Sequence, residues 1–138
     1  MKRIKYVSRF AKPFSESELE QLAEQSAANN KDLDVTGVLI TSGGIFFQVL
    51  EGPDDAVDGI FNAIKADTRH TDLVVLGIEG SVDNRIFPDW SMKTVNLDAA
   101  SHIRLLPLKT LMQAVFDQQQ IIDKMIWTIE RTLKHEFD

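Results

Sequence analysis

Two side chains carry polar groups onto strand faces that are expected to be covered. Gln48 stands inside Ile45-Phe46-Phe47-Gln48-Val49-Leu50, and Tyr6 follows Ile4 near the amino terminus. A buried primary amide has two donors and a two-lone-pair acceptor to satisfy, and each unpaired group costs on the order of 1–3 kcal/mol. Strand pairing satisfies only the backbone, so the Gln48 amide needs a partner of its own: a neighbouring backbone group, another side chain or a ligand. Tyr6 is the only tyrosine in a chain with eight phenylalanines. Phenylalanine would fill a core as well, so the hydroxyl is expected to have a partner, and Gln48 is a candidate. With Asn29 and Asn30 at the rim, these residues describe a hydrogen-bonding site without a strong acid, base or nucleophile. Such a site suits binding and sensing a planar polar ligand better than breaking bonds.

Other chemistries find little support. The chain has no cysteine, which excludes disulfides, thiolate metal sites, thiol nucleophiles and cysteinyl-flavin adducts, and fits a reducing compartment. His70, His102 and His135 are scattered without metal-ligand spacing. No phosphate loop is visible, because Ser42-Gly43-Gly44 lies between strands instead of opening a helix. Arg69-His70 could hold a phosphate or act as a base, although a polar turn between helix and strand is the plainer reading. A net charge of −6 argues against a nucleic-acid surface. No stretch approaches the roughly 18 apolar residues of a membrane span, and no signal peptide is evident, so a cytoplasmic protein is expected.

The elements that must position Tyr6 and Gln48 follow from periodicity. Ile4, Tyr6 and Ser8 alternate with Lys5 and Arg9 as in a half-covered strand. Ser15 and Glu18 form a capping box, with Phe14 able to staple to Leu19, ahead of a helix carrying Leu19, Leu22, Ala23 and Ala27 on one face. Val35 to Thr41 and Ile45 to Leu50 flank a glycine turn and predict a hairpin. Glu51-Gly52-Pro53-Asp54-Asp55 is expected to break that strand and open a second helix with the stripe Val57, Ile60, Phe61 and Ile64. Leu73 to Ile78 gives a fourth strand, and Trp90 to Leu97 a fifth.

The order βαββαβ predicts an α+β, ferredoxin-like antiparallel sheet with two helices on one face. Ile45, Phe47 and Val49 are apolar on one side of the third strand, Phe46 and Leu50 on the other, so both faces need cover. The second cover is expected from residues 98–138, appended to a domain of residues 1–97. There Leu108, Val115, Ile122 and Ile129 recur every seven residues, flanked by Leu111, Met112, Met125, Ile126 and Leu133. Part of this segment should pack on the sheet and the remainder meet a partner chain, giving a homodimer through residues 108–135.

Taken together, Tyr6-Val7-Ser8, Asn29-Asn30, Thr36-Gly37-Val38-Leu39, Phe46 to Gly52, Asp67-Thr68-Arg69-His70 and Phe87-Pro88-Asp89-Trp90-Ser91-Met92 resemble the BLUF domain, a sensor of blue light using FAD. The resemblance covers about residues 2–97. Asn96-Leu97 and Pro107 to Gln113 are in addition similar to the BLUF input modules of photoactivated adenylyl cyclases.

The resemblance implies a flavin between the two helices, bonded by Asn30 at its ring edge, with Gln48 between that edge and Tyr6. Leu22, Phe46 and Ile64 would pack the ring, and Asp67 and Arg69 would lie near the ribityl and phosphate end. Ser8, Asn29, Leu39 and His70 complete the implied site. In this family the tyrosine passes an electron and a proton to the excited flavin and the glutamine rearranges. Trp90 and Met92 would sense that change and relay it to the carboxy-terminal helix and an effector.

One departure stands out: several relatives carry a basic residue fifteen positions after the glutamine, where this chain has Ala63. Either Lys65 or Arg69 takes over the phosphate contact, or FMN or riboflavin could compete with FAD. The expected function is therefore a blue-light receptor without turnover. Set against it are a flavin-free ferredoxin-like regulatory or oligomerisation module and, far behind, an acylphosphatase-type hydrolase using Arg69 and Asn30.

Overall fold

The computed structural model describes residues 1–99 and 103–137. His102 lies outside them. Strand β1 (Lys2–Phe10) leads into helix α1 (Glu16–Asp32), followed by β2 (Thr36–Ser42), β3 (Ile45–Gly52), α2 (Asp54–Ala66), β4 (His70–Glu79) and β5 (Lys93–Asn96). A 3₁₀ turn at Leu97–Ala99 and another at Ile103–Leu105 precede the long helix α3 (Leu106–Phe137).

Local chemistry sets several boundaries. Ser15 Oγ accepts from the Glu18 N–H while the Glu18 carboxylate accepts from the Ser15 N–H, so the capping box opens α1 one residue later. Gly43 and Gly44 both have positive φ, 55° and 79°, as a two-residue type I′ turn between antiparallel strands requires. Pro107 sits in the first turn of α3, where its missing N–H breaks no helical bond.

The sheet order is β4-β1-β3-β2-β5. The first four strands pair antiparallel in the ferredoxin-like order, which places Tyr6 directly opposite Gln48. The fifth strand corrects the all-antiparallel expectation, because β5 runs parallel to β2. Residues 80–92 cross from the β4 edge to the opposite edge along the end of the sheet where β4 finishes and β2 begins, so β5 sets out from that end, opposite in direction to β4 and therefore parallel to β2. This strand is also shorter than Trp90 to Leu97. Glu51 and Gly52 do not break β3; both belong to it, for a reason that appears in the site geometry.

Both faces of the sheet are covered. On one, Ile4, Tyr6, Leu39, Phe46 and Leu50 pack with Val57 and Phe61 of α2 and, at their margin, Leu19, Leu22 and Ala27 of α1. On the other, Val7, Ile45 and Leu97 enclose Met112 and Phe116 of α3. Only the first three turns of α3 take part; from Gln120 to Phe137 every residue is exposed.

Candidate functional site

The cleft lies between α1 and α2 above the β1–β3 pair, with about 900 Å3 of atom-free space counted out to its mouth. Its floor comes from strand parity. Tyr6, Phe46, Gln48 and Leu39 point to the helix-covered face, Leu22 and Ile64 form the walls, and Asp67, Arg69 and His70 stand toward one end. Eleven of the twelve residues expected to line a ligand site line this cleft. The exception is Ser8, buried beneath the cleft, whose Oγ lies 2.8 Å from His70 Nδ1. Gln25, Ser26 and Ile60 also line the cleft and had given no sequence signal beyond helical spacing.

At the centre, Tyr6 Oη donates to Gln48 Oε1. Gln48 Nε2 in turn donates to the Met92 thioether at 3.5 Å, a long contact to a weak acceptor. Tyr6, Gln48 and Met92 are all buried. Burial, with a smaller contribution from the Asp67 charge, pushes the Tyr6 phenol well above its ordinary value of 10.0, so it remains an O–H donor.

Asn30 ends up at the cleft because α1 stops there: its carbonyl accepts from the Leu33 and Val35 N–H groups. Its side chain is 3 % exposed, and Nδ2 has no protein partner. A buried amide donor left open at a cleft wall is what an acceptor-bearing ligand edge requires. The site chemistry thus fits a flavin: apolar Leu22, Phe46 and Ile64 for the ring faces, and the Asn30 and Gln48 amides for its polar edge.

At the far end the cations are already committed. The Arg69 guanidinium binds Asp67 at 2.5 and 3.0 Å, and this hydrogen bond holds the Asp67 carboxyl below its usual range. Ala63 lines the cleft, whereas Lys65 does not; its ammonium sits 5.0 Å from the Phe61 ring centroid. Among the described residues no group of three or more His, Cys, Asp or Glu side chains is arranged to hold a metal. No helix among them is long and apolar enough to cross a membrane.

The placement of Trp90 and Met92 on the fifth strand needs correction, since β5 begins at Lys93. Trp90 is 41 % exposed, stacks on Phe87 with centroids 5.4 Å apart, and leaves the Gln48 contact to Met92. Gly37 explains the tight fit: a Cβ there would lie 1.8 Å from the Val49 carbonyl oxygen and 3.3 Å from Met92 Cε. The Gly37 N–H donates to the Trp90 carbonyl.

Sequence reasoning missed Glu51, which is fully buried and accepts from Arg3 Nε and from the Ile86 and Phe87 N–H groups. These donors keep a charged residue inside β3. A carboxylate directly following Val49-Leu50, opposite an arginine on β1, was the available signal.

Comparison with known proteins points the same way. The family model described as sensors of blue-light using FAD (BLUF) matches residues 1–93. The photoactivated adenylate cyclase subunit beta of Euglena gracilis is 34 % identical over 101 residues, which is 72 % of this chain and 12 % of that protein. A bacterial light-regulated adenylyl cyclase structure superposes with TM-score 0.81 and 36 % identity, covering 89 % of this chain and 36 % of the other. The dark-state structure of the BLUF protein BlrB gives TM-score 0.66 and 32 % identity over 81 % of this chain and 90 % of its own. The chain therefore spans about an eighth of the curated cyclase subunit and roughly a third of the cyclase structure. With the family model matching two thirds of its length, and Tyr6, Gln48 and Asn30 gathered at one cleft, the chain belongs to the BLUF family, the sensors of blue light using FAD.

Proposed function

We propose that this chain is a photoreceptor module without turnover of its own, in which Tyr6, Gln48 and Met92 convert light absorbed at the cleft into a displacement of β5 and α3. The observation that carries this reading is the chain of contacts from Tyr6 Oη to Gln48 Oε1 and from Gln48 Nε2 to Met92 Sδ, ending one residue before β5. A bound flavin supplies the absorption of blue light and, when excited, an oxidant. Asn30 Nδ2 and the Gln48 amide would hold its polar edge, and Leu22, Phe46 and Ile64 its faces.

The residues themselves do the rest. Tyr6 is protonated at any physiological pH and bonded through Oη, so its electron and its proton leave together, the proton toward Gln48 Oε1. Rotation or tautomerisation of the amide then exchanges donor for acceptor. Once the proton has returned to Tyr6, a rotated neutral amide would turn Oε1 toward Sδ, two acceptors with no hydrogen between them, and Met92 would have to move. Lys93, next in the chain, opens β5, and β5 leads into the turn at Leu97, which packs against Met112 and Phe116 of α3 on the other face of the sheet.

Residues 1–97 would form the light-sensing unit and residues 98–138 its cap and output. The exposed stripe Ile122, Met125, Ile126, Ile129 and Leu133 supports a homodimer through α3. The reader of that helix would be an effector, fused or separate. The open Asn30 donor and the committed Arg69 favour ring over phosphate recognition, so FMN and riboflavin should compete with FAD.

The test is an absorption spectrum of the FAD-loaded protein before and after blue illumination. A small reversible red shift is expected; a preparation that takes up no added flavin would support the flavin-free module instead.

A further inference from the structure

The end of the sheet opposite the Gly43-Gly44 turn holds a buried charge with an unusual set of partners. Glu51 Oε2 accepts from Arg3 Nε at 2.8 Å and from the Ile86 N–H at 3.0 Å, and Oε1 accepts from the Phe87 N–H at 2.5 Å. Arg3 spends the remainder of its guanidinium on Glu79 at 2.6 Å and on the Asn84 carbonyl at 2.7 Å. Arg85 fastens the segment again, donating to Thr36 Oγ1 at 2.9 Å and to the carbonyls of Glu51 and Asp34 at 3.2 and 2.9 Å. Residues 84–87 are thereby tied to β1, β3 and the start of β2.

Connecting segments ordinarily leave their backbone to water. This one instead uses a carboxylate whose burial is expensive unless every bond is made. Five residues beyond Phe87 comes Met92, the contact of Gln48. Between them lies a single backbone bond to the sheet, from Gly37 N–H to the Trp90 carbonyl. Met92 is thus held from two sides, by the Gly37–Trp90 bond and the pairing of Lys93 with Val38 on one, and by the Glu51 anchor at Ile86 and Phe87 on the other; five residues can span up to about 17 Å, so without that anchor the approach to Met92 is free to shift.

We propose that Glu51 is a positioning residue for the light response: by holding Ile86 and Phe87 it sets the place of Met92 against Gln48, and so how far a change at the amide reaches β5 and α3. This rests on the photoreceptor reading. Glu51→Gln keeps the volume, but its amide NH2 cannot accept, so one of the two backbone bonds becomes donor against donor and Arg3 loses a charged partner.

Two readouts separate anchor from coupling. In the dark, amide exchange should quicken by about tenfold in Glu51→Gln at whichever of Ile86 and Phe87 meets the new NH2, the equivalent of one lost hydrogen bond. Central β1 and β3 amides should stay protected, and unchanged exchange at residues 86 and 87 overturns the anchor. After illumination, Glu51→Gln should alter the dark-recovery rate by about threefold or more beside Met92, and leave it nearly unchanged once Met92→Leu is present. Equal effects in both backgrounds overturn the coupling. If Glu51→Gln does not fold, Ile86→Pro removes one donor while leaving Glu51 and Arg3 paired; the exchange outcome is then read at Phe87 alone, and the recovery outcome is unchanged. A wild-type protein with no light-induced shift would overturn the coupling together with the photoreceptor reading, while the exchange measurement would still decide the anchor.

Discussion

Truncating Phe116 separates the two halves of α3. Its ring is 3 % exposed, packs among Val7, Ile45, Leu97 and Met112, and carries the Arg9 guanidinium 4.2 Å from its centroid. Removing a buried phenylalanine to alanine costs about 3–5 kcal/mol. Loss of the cation–π contact adds about 0.5–1 kcal/mol. A domain of this size has roughly 5–15 kcal/mol in all, so Phe116→Ala should lose a large share of it and melt roughly 10–20 °C lower. Ile122, less than two turns further on, is 42 % exposed. Ile122→Lys should change the stability of the isolated chain by only about 0.5 kcal/mol. Its effect should appear as a lost dependence of the unfolding midpoint on protein concentration. Urea unfolding at two widely separated concentrations reads both effects. Phe116→Ala tolerated within about 1 kcal/mol would refute the packing of α3 on the sheet. An equally damaging Ile122→Lys in dilute protein would refute the division of the helix.

Two further outcomes follow from the cleft. The single tyrosine makes phenolate absorbance a report on Tyr6 alone: folded protein should show no ionisation near pH 10, and unfolded protein should titrate there. Because the folded value is raised, this contribution to stability is complete below pH 10 and is lost as pH climbs above it, a slope that Tyr6→Phe should flatten. Asn30→Leu should weaken flavin binding about tenfold in a fluorescence titration while leaving the flavin-free protein as stable or more so, since it removes a buried donor without a partner. Lower stability without flavin would contradict that assignment.

Much of this was legible in the sequence where local rules dominate. The Ser15–Glu18 capping box, the Gly43-Gly44 turn and the two-sided apolar pattern of Ile45 to Leu50 each fix their element, and parity alone turned Tyr6 toward Gln48. Long-range pairing was not legible. Glu51 looked like a strand breaker because its donors come from Arg3 and from Ile86 and Phe87, distant in sequence and visible only once folded. The parallel entry of β5 and the outward position of Trp90 depend on the path of residues 80–92, which has no periodicity to read.

The central claim is that the Tyr6 hydroxyl on Gln48 is the switch, and Tyr6→Phe tests it with the loss of one oxygen. Light-minus-dark spectra of flavin-loaded wild type and Tyr6→Phe should show a reversible red shift in the first and none in the second, at equal flavin content. An unaltered photocycle in Tyr6→Phe would contradict the account.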